Sequence, residues 1–330
     1  METAARSRRE PAENASDVRS VGDRPPFPAG FRFGPNGRYE VVGVLGSGAT
    51  AHVLLSRDST SECLVATKCF RLANGEGVDE SFRRARAEAR TLETLRHENI
   101  VRLRDVDRWE DTAYVVLDYE EGVSLEALLA RGPLPLRRAL DVTLQVARAL
   151  EHAHSVGVLH LDVKPGNVWV RRDGCVKVID FGIHAELVRS QSTSRSNRTL
   201  LFGTPAYMSP EQWQLKLPDE RSDVWALGTT LFELLTGDLP FADACDHGLL
   251  LCEAIVKSSG PRPIGEHLNA APALDELLHH ALANDARERF QSMRELRLAI
   301  EDLAKNPSAP FGYGSCFVAR HGRPESQPPR

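Results

Sequence analysis

The 330-residue sequence predicts an α+β fold, with strand-length runs and helical periods both legible in its first half. Three observations carry this. Apolar runs of strand length lie at Leu64-Val65-Ala66-Thr67-Lys68-Cys69-Phe70 and Ala113-Tyr114-Val115-Val116-Leu117-Asp118. Between them, over residues 80–96, Phe82, Ala85, Ala89 and Leu92 recur at three- and four-residue spacing, the period of an amphipathic helix. A further, largely buried helix is predicted over residues 136–155, with Leu140, Leu144, Ala147 and Leu150 in its core face.

Each element brings residues with chemistry attached. Tyr39-Glu40-Val41-Val42 leads into Leu45-Gly46-Ser47-Gly48-Ala49-Thr50-Ala51-His52-Val53. Gly46 and Gly48 let backbone amides approach phosphate oxygens with no side chain in the way, although the pair alone also fits a plain β-turn. Lys68 stands in the strand that follows. Glu88 lies three residues after Ala85 and four before Leu92, hence on the inward face of its helix. A charge there is expensive unless paired, and Lys68 is the natural partner; Glu80 and Glu93 fit that face less well. Downstream come His160-Leu161-Asp162-Val163-Lys164-Pro165-Gly166-Asn167 and Asp180-Phe181-Gly182. Asp162 can accept a proton from a hydroxyl, Lys164 can neutralise a transferred phosphate, and Asn167 and Asp180 offer oxygen ligands for a hard cation such as Mg²⁺.

These segments, in this order, resemble the catalytic loop and metal-binding motif of eukaryotic-like (Hanks-type) protein serine/threonine kinases, and most closely the bacterial ones. The resemblance spans most of the chain. It implies a two-lobed protein-kinase fold, with a small β-rich lobe carrying one regulatory helix over residues 39–121. A larger, mainly helical lobe would cover residues 122–304. ATP would lie between them, its phosphates under the backbone of Leu45, Gly46, Ser47, Gly48, Ala49, Thr50, Ala51, His52 and Val53 and against Lys68. Ala66 and Leu117 would border the adenine, and the backbone of Asp118 to Glu120 would hydrogen-bond it. The implied catalytic set is Asp162, Lys164, Lys68 and Glu88, with Asn167 and Asp180 holding Mg²⁺ (Mn²⁺ being the alternative ion). Ala51 replaces the third glycine of the family pattern. His160 is expected to hold the loop rather than to react.

Further matches follow the metal motif. Gly203-Thr204-Pro205-Ala206-Tyr207-Met208-Ser209-Pro210-Glu211 resembles the end of a kinase activation segment, with Ser209 in place of the usual alanine. By that resemblance Thr204 orients Asp162 and Lys164, Glu211 pairs with Arg289, and Asp223 braces the catalytic loop. Leu161 occupies the position where many regulated kinases carry an arginine that meets a phosphate on this segment. Autophosphorylation is expected within the exposed run that holds Ser190, Ser192, Thr193, Ser194, Ser196 and Thr199, where local concentration is high, and without that arginine it is expected to change activity little. The function implied is transfer of the γ-phosphate of ATP to Ser/Thr hydroxyls of protein substrates. Two alternatives remain: a pseudokinase scaffold, or a small-molecule kinase of the aminoglycoside or choline type. Lys68, Glu88, Asp162, Asn167 and Asp180 all being present speaks against the first; Lys164, Thr204 and the Glu211–Arg289 pair speak against the second.

Composition suits a globular enzyme, at 42% apolar and 26% charged residues. A net charge of -5 offers no basic footprint for nucleic acid. The six cysteines form no Cys-x-x-Cys pair, which points to reduced thiols in the cytoplasm. No apolar run reaches the roughly 20 residues of a membrane span. Residues 1–38 and 305–330, rich in Pro, Gly and polar residues without periodicity, are expected to be disordered or flexible tails.

Overall fold

Alternation along the early strands gives the first lobe two buried faces, one for each neighbouring layer. The computed structural model describes residues 26–48, 51–71, 77–181, 203–241, 248–257, 260–264 and 272–305. Strands β1 (Arg32–Phe33), β2 (Tyr39–Ser47), β3 (Ala51–Asp58), β4 (Leu64–Phe70), β5 (Leu103–Trp109) and β6 (Thr112–Asp118) form one antiparallel sheet, ordered β1-β2-β3-β4-β6-β5. Phe70, Ala113, Val115 and Leu117 share a core with Ala85 and Leu92 of helix α1 (Val78–Thr94). Tyr39, Leu54, Val65, Cys69, Tyr114 and Val116 form a second core with Phe27 and Phe33.

That second core reaches ahead of residue 39, where the small lobe is expected to begin. Residues 26–38 are part of the small lobe. Phe27 stacks on Phe33 at 4.7 Å between ring centroids, and Phe33 meets Tyr114 edge-on at 5.1 Å. Arg38 forks onto Asp58 with both bonds at 2.9 Å, and Tyr39 donates its hydroxyl to Asp105 at 2.8 Å. A two-residue strand among prolines and glycines is too short to show a period; Phe33 and the preceding Phe27 and Phe31 are what the sheet selects.

The helical lobe is built around one fully enclosed element. After β7 (Gly122–Ser124), α2 (Leu125–Leu129) is capped by Ser124, which accepts from the amide of Ala127. Then come α3 (Leu136–Ser155), β8 (Val168–Arg171), β9 (Val176–Val178), α4 (Pro210–Trp213), α5 (Glu220–Thr236), α6 (Gly248–Lys257), α7 (Pro272–Ala281) and α8 (Met293–Lys305). The predicted helices over 80–96 and 136–155 correspond to α1 and α3. In α3, Leu140, Ala147 and Leu150 are buried and Leu144 packs at the core margin. Helix α5 is buried on nearly every side, as a helix apolar all round must be. Gly228 makes this possible, since a Cβ there would stand 2.9 Å from Ala281. Strands β7, β8 and β9 make a second, three-stranded sheet.

The lobes are joined behind the cleft as well as by the chain between β6 and β7. Val101 donates its amide to Val178 at 3.0 Å, Val178 donates to Asn99 at 2.8 Å, and Asn99 Nδ2 reaches Val176 O at 2.9 Å. No helix among the described residues is long and apolar enough to cross a membrane.

Candidate active site

Lys68, third from the end of β4, sends its ammonium to the inner face of α1, where Glu88 receives it at 3.0 and 3.1 Å. Both side chains are buried, as the helical periodicity required. Asp180 also bonds Lys68, at 2.7 Å, so one ammonium serves two carboxylates from different lobes. Burial would lower the Lys68 pKa, but Asp180 and Glu88 outweigh it and hold the group above its ordinary value. Burial, with Asp180 adding to it and Lys68 opposing it, pushes the Glu88 carboxyl up to about 6. Asp180 moves the other way: burial would raise it, and the contact with Lys68 pulls it below the usual carboxylate range.

Across the cleft, Asp162 is fixed on both oxygens. Thr204 gives its amide and hydroxyl to Oδ1 at 2.8 and 2.9 Å. Oδ2 receives Asn167 Nδ2 at 3.0 Å and faces Lys164 Nζ at 2.9 Å. Lys164 also bonds the Thr204 hydroxyl. Burial would raise the Asp162 pKa, yet Lys164 and Thr204 hold it below its ordinary value, so it stands ionised as an acceptor. The Nδ2 of Asn167 is committed to Asp162, bonding its carbonyl at 2.8 Å as well, which leaves the amide oxygen for a cation. Among the described residues no group of three or more His, Cys, Asp or Glu side chains could hold a metal by itself. A cation at Asn167 and Asp180 would complete its shell with phosphate oxygens and water, the habit of Mg²⁺.

The loop carrying these groups is braced from below. Asp223 of α5 accepts the amides of His160 at 2.9 Å and Leu161 at 2.7 Å and bonds His154 Nε2 at 2.8 Å. Leu161 and Asp180 adopt the left-handed region, φ 63° each, a strained state that these contacts hold in place. Leu161 itself is buried. His160 bonds the Ile179 carbonyl at 3.1 Å and packs on Phe181, the structural role expected of it. Glu211 and Arg289 meet as a fork with two bonds of 2.8 Å, and Ser222 adds a third to Glu211 at 2.6 Å.

Leu45, Gly46, Val53, Ala66, Lys68, Leu117, Asp118, Glu120 and Asp180 line one cleft. Ser47 and His52 do not. They face each other in the β2–β3 register, with Ser47 Oγ 2.9 Å from His52 Nδ1. His52 alternates with Val53, which lines the cleft, so its buried ring turns to the opposite face of the sheet. Gly48 and Ala51 close the hairpin through a 2.9 Å backbone bond, outside the cleft wall. Ala49, Thr50, Gly182 and residues 190–199 lie outside the described residues. Val101, Tyr119, Trp169, Lys177 and Ile179 complete the lining. Tyr119 belongs to the connector expected at the base; for Trp169 and Lys177 the signal in sequence is alternation on β8 and β9.

The chain matches the model of the protein kinase domain over residues 39–298. It is 34% identical over 269 residues to the serine/threonine-protein kinase PrkC of Bacillus subtilis, covering 81% of this chain and 40% of that protein. It is 35% identical over 282 residues to PknB of Mycobacterium tuberculosis, with 83% and 44% covered. Identity to PksC of Streptomyces coelicolor is 38% over 289 residues, with 82% and 51% covered. The chain thus spans about half the length, or less, of these curated relatives. The crystal structure of the Mycobacterium tuberculosis PknI kinase domain superposes with a TM-score of 0.62 at 26% identity, over 84% of this chain and 98% of that one. With the Lys68–Glu88–Asp180 cluster joining two lobes of the expected architecture, the chain belongs to the protein kinase domain family, in its eukaryotic-like bacterial branch.

Proposed function

We propose that this chain is an ATP-dependent protein serine/threonine kinase that transfers the γ-phosphate to Ser or Thr hydroxyls of protein substrates. One observation carries the reading: Asp162 is ionised and immobilised by Thr204, Asn167 and Lys164 in the wall opposite the Lys68 ammonium. A carboxylate so held can orient an incoming hydroxyl and take its proton as the new P–O bond forms. Lys164 stands where charge accumulates on the transferred group, and Lys68 takes the non-transferred phosphates. Glu88 keeps Lys68 in place. Ala66, Val53 and Leu45 on one side, with Leu117 at the back, give the base an apolar slot. Mg²⁺, or Mn²⁺ in its place, would be held by Asp180 and Asn167 and would supply neutralisation of phosphate charge.

Catalysis here is positioning and electrostatics, because the protein forms no covalent bond to the phosphoryl group. Autophosphorylation on residues 190–199 belongs to the same reading. The thiols of Cys63, Cys69, Cys175 and Cys252 are free, which suits a reducing, cytoplasmic setting.

The test is incubation of the purified chain with γ-labelled ATP and Mg²⁺, with Asp180→Ala as control and phosphosites mapped by mass spectrometry. Label on serine or threonine, absent from the control, is expected; a chain that binds ATP yet labels neither itself nor general protein substrates would end the reading. Asp162→Ala is expected to lose about 10²–10⁴-fold in kcat while nucleotide binding persists, measured by transfer rate and calorimetry on the same preparation.

A further inference from the structure

We infer that Trp169 is a positioning residue that clamps the base-binding connector to the large lobe through Glu120, an inference that rests on the nucleotide reading of the cleft. The connector leaves β6 at Asp118 and enters β7 at Gly122. Trp169 on β8 donates its indole N–H to the Glu120 carbonyl at 2.8 Å, and the indole also lines the cleft. Arg171 on the same strand reaches the Glu120 carboxylate at 3.1 Å, and Lys177 on β9 reaches its other oxygen at 3.2 Å.

The β pattern explains why three groups converge on one residue. Trp169 and Arg171 are two apart and share a face; Lys177 pairs directly with Trp169 across the ladder and so joins them. Gly122 permits the close approach. A Cβ there would lie 2.3 Å from the Val170 carbonyl and 2.9 Å from Trp169 Nε1. Glu120 is therefore held by both its main chain and its side chain, which is only 14% exposed.

The consequence concerns motion. The part of the connector that faces the base travels with the large lobe, and so with Asp162 and Asn167. Any closing rotation of the small lobe pivots on the Asp118 side of Glu120. Base and phosphoacceptor machinery then keep one frame of reference while the small lobe moves over them.

Trp169→Phe keeps the ring and deletes the donor. Binding of a non-hydrolysable ATP analogue with Mg²⁺ to the full chain should weaken about fivefold, the scale of one hydrogen bond. The KM for ATP should rise by the same factor while kcat moves less, because the loss is of ground-state positioning. Tryptophan fluorescence should be quenched by the analogue in the parent chain and not in the variant. Should Trp169→Phe fail to fold, the double change Arg171→Met and Lys177→Met frees the carboxylate instead and should weaken binding in the same direction. A folded variant that binds as tightly as the parent overturns the inference alone. A parent chain that binds no nucleotide overturns the nucleotide reading and the inference with it.

Discussion

Two ion pairs, one in each lobe, are assembled in opposite ways. Glu211 and Arg289 are saturated: two 2.8 Å bonds between them, a hydroxyl from Ser222, and backbone carbonyls of Ala283 and Arg221 on the guanidinium at 2.7 and 3.0 Å. Lys68 is oversubscribed, one ammonium between Glu88 and Asp180. The first arrangement satisfies every charge and pulls the Glu211 carboxyl down, because the guanidinium contacts outweigh its burial. The second leaves surplus negative charge, and burial, with Asp180 adding to it, lifts Glu88 to about 6. A saturated pair braces a fold. An oversubscribed one is ready to exchange a partner, as a cluster that must accept phosphate oxygens and a cation has to be.

The comparison can be broken most directly at Arg289. Arg289→Met should destabilise the chain by about 3–5 kcal/mol, since Glu211 is left buried without its cation; urea unfolding measures it. Equal stability would show that the fork braces nothing. Lys68→Met should lose about 10²–10³-fold in kcat, the scale of removing one preorganised donor, with a smaller loss of stability than Arg289→Met. Without Lys68, Glu88 can take up a proton; without Arg289, the chain also loses the guanidinium's bonds to the carbonyls of Ala283, Arg221 and Asn284. A larger stability loss at Lys68 than at Arg289 would invert the comparison.

The pH dependence of Glu88 sharpens it. Its carboxyl titrates higher in the folded chain than in the unfolded one. Its proton therefore stabilises the folded state below the ordinary carboxylate range, and that gain disappears as pH rises to about 6. Activity runs the other way, because the Lys68 pair needs the ionised form. Transfer rates should fall below pH 6 in the parent chain, and Glu88→Gln should flatten that limb while lowering the plateau. A limb unchanged in Glu88→Gln would assign it to another group. The smallest effect is expected at Arg32, whose partner Glu40 lies in the open at the sheet edge. Arg32→Ala should shift stability by less than about 1 kcal/mol by thermal unfolding. A larger shift would mean that geometry, not burial, sets the worth of charge pairs here.

Much of the site was legible before any coordinates, for a physical reason. Loop chemistry is local: a hydroxyl-orienting carboxylate, a lysine two residues on and an amide three further on must lie in one short segment to converge. Hence Asp162, Lys164 and Asn167 could be read together. Periodicity likewise put Glu88 inside its helix and required a cation. Which side chains of the glycine-rich segment reach the cleft is less legible, because a strand divides its residues between two faces and His52 turns away from Val53. The Trp169 contact carries no such signal, because one aromatic in a short strand has no period, and its value depends on which backbone carbonyl it meets.

The sequence by itself determined the order of elements, the buried lysine and glutamate, and the clustering of the groups proposed to react, since these follow from short-range spacing and from the energetic demand that buried charge be paired. Only the tertiary structure decided that Asp180 would share Lys68 with Glu88, that Phe27 and Phe33 would extend the small lobe, and that Glu120 would be clamped by Trp169, Arg171 and Lys177. Those contacts join residues tens of positions apart, and their partners are chosen by packing geometry across the lobes, to which no local pattern responds.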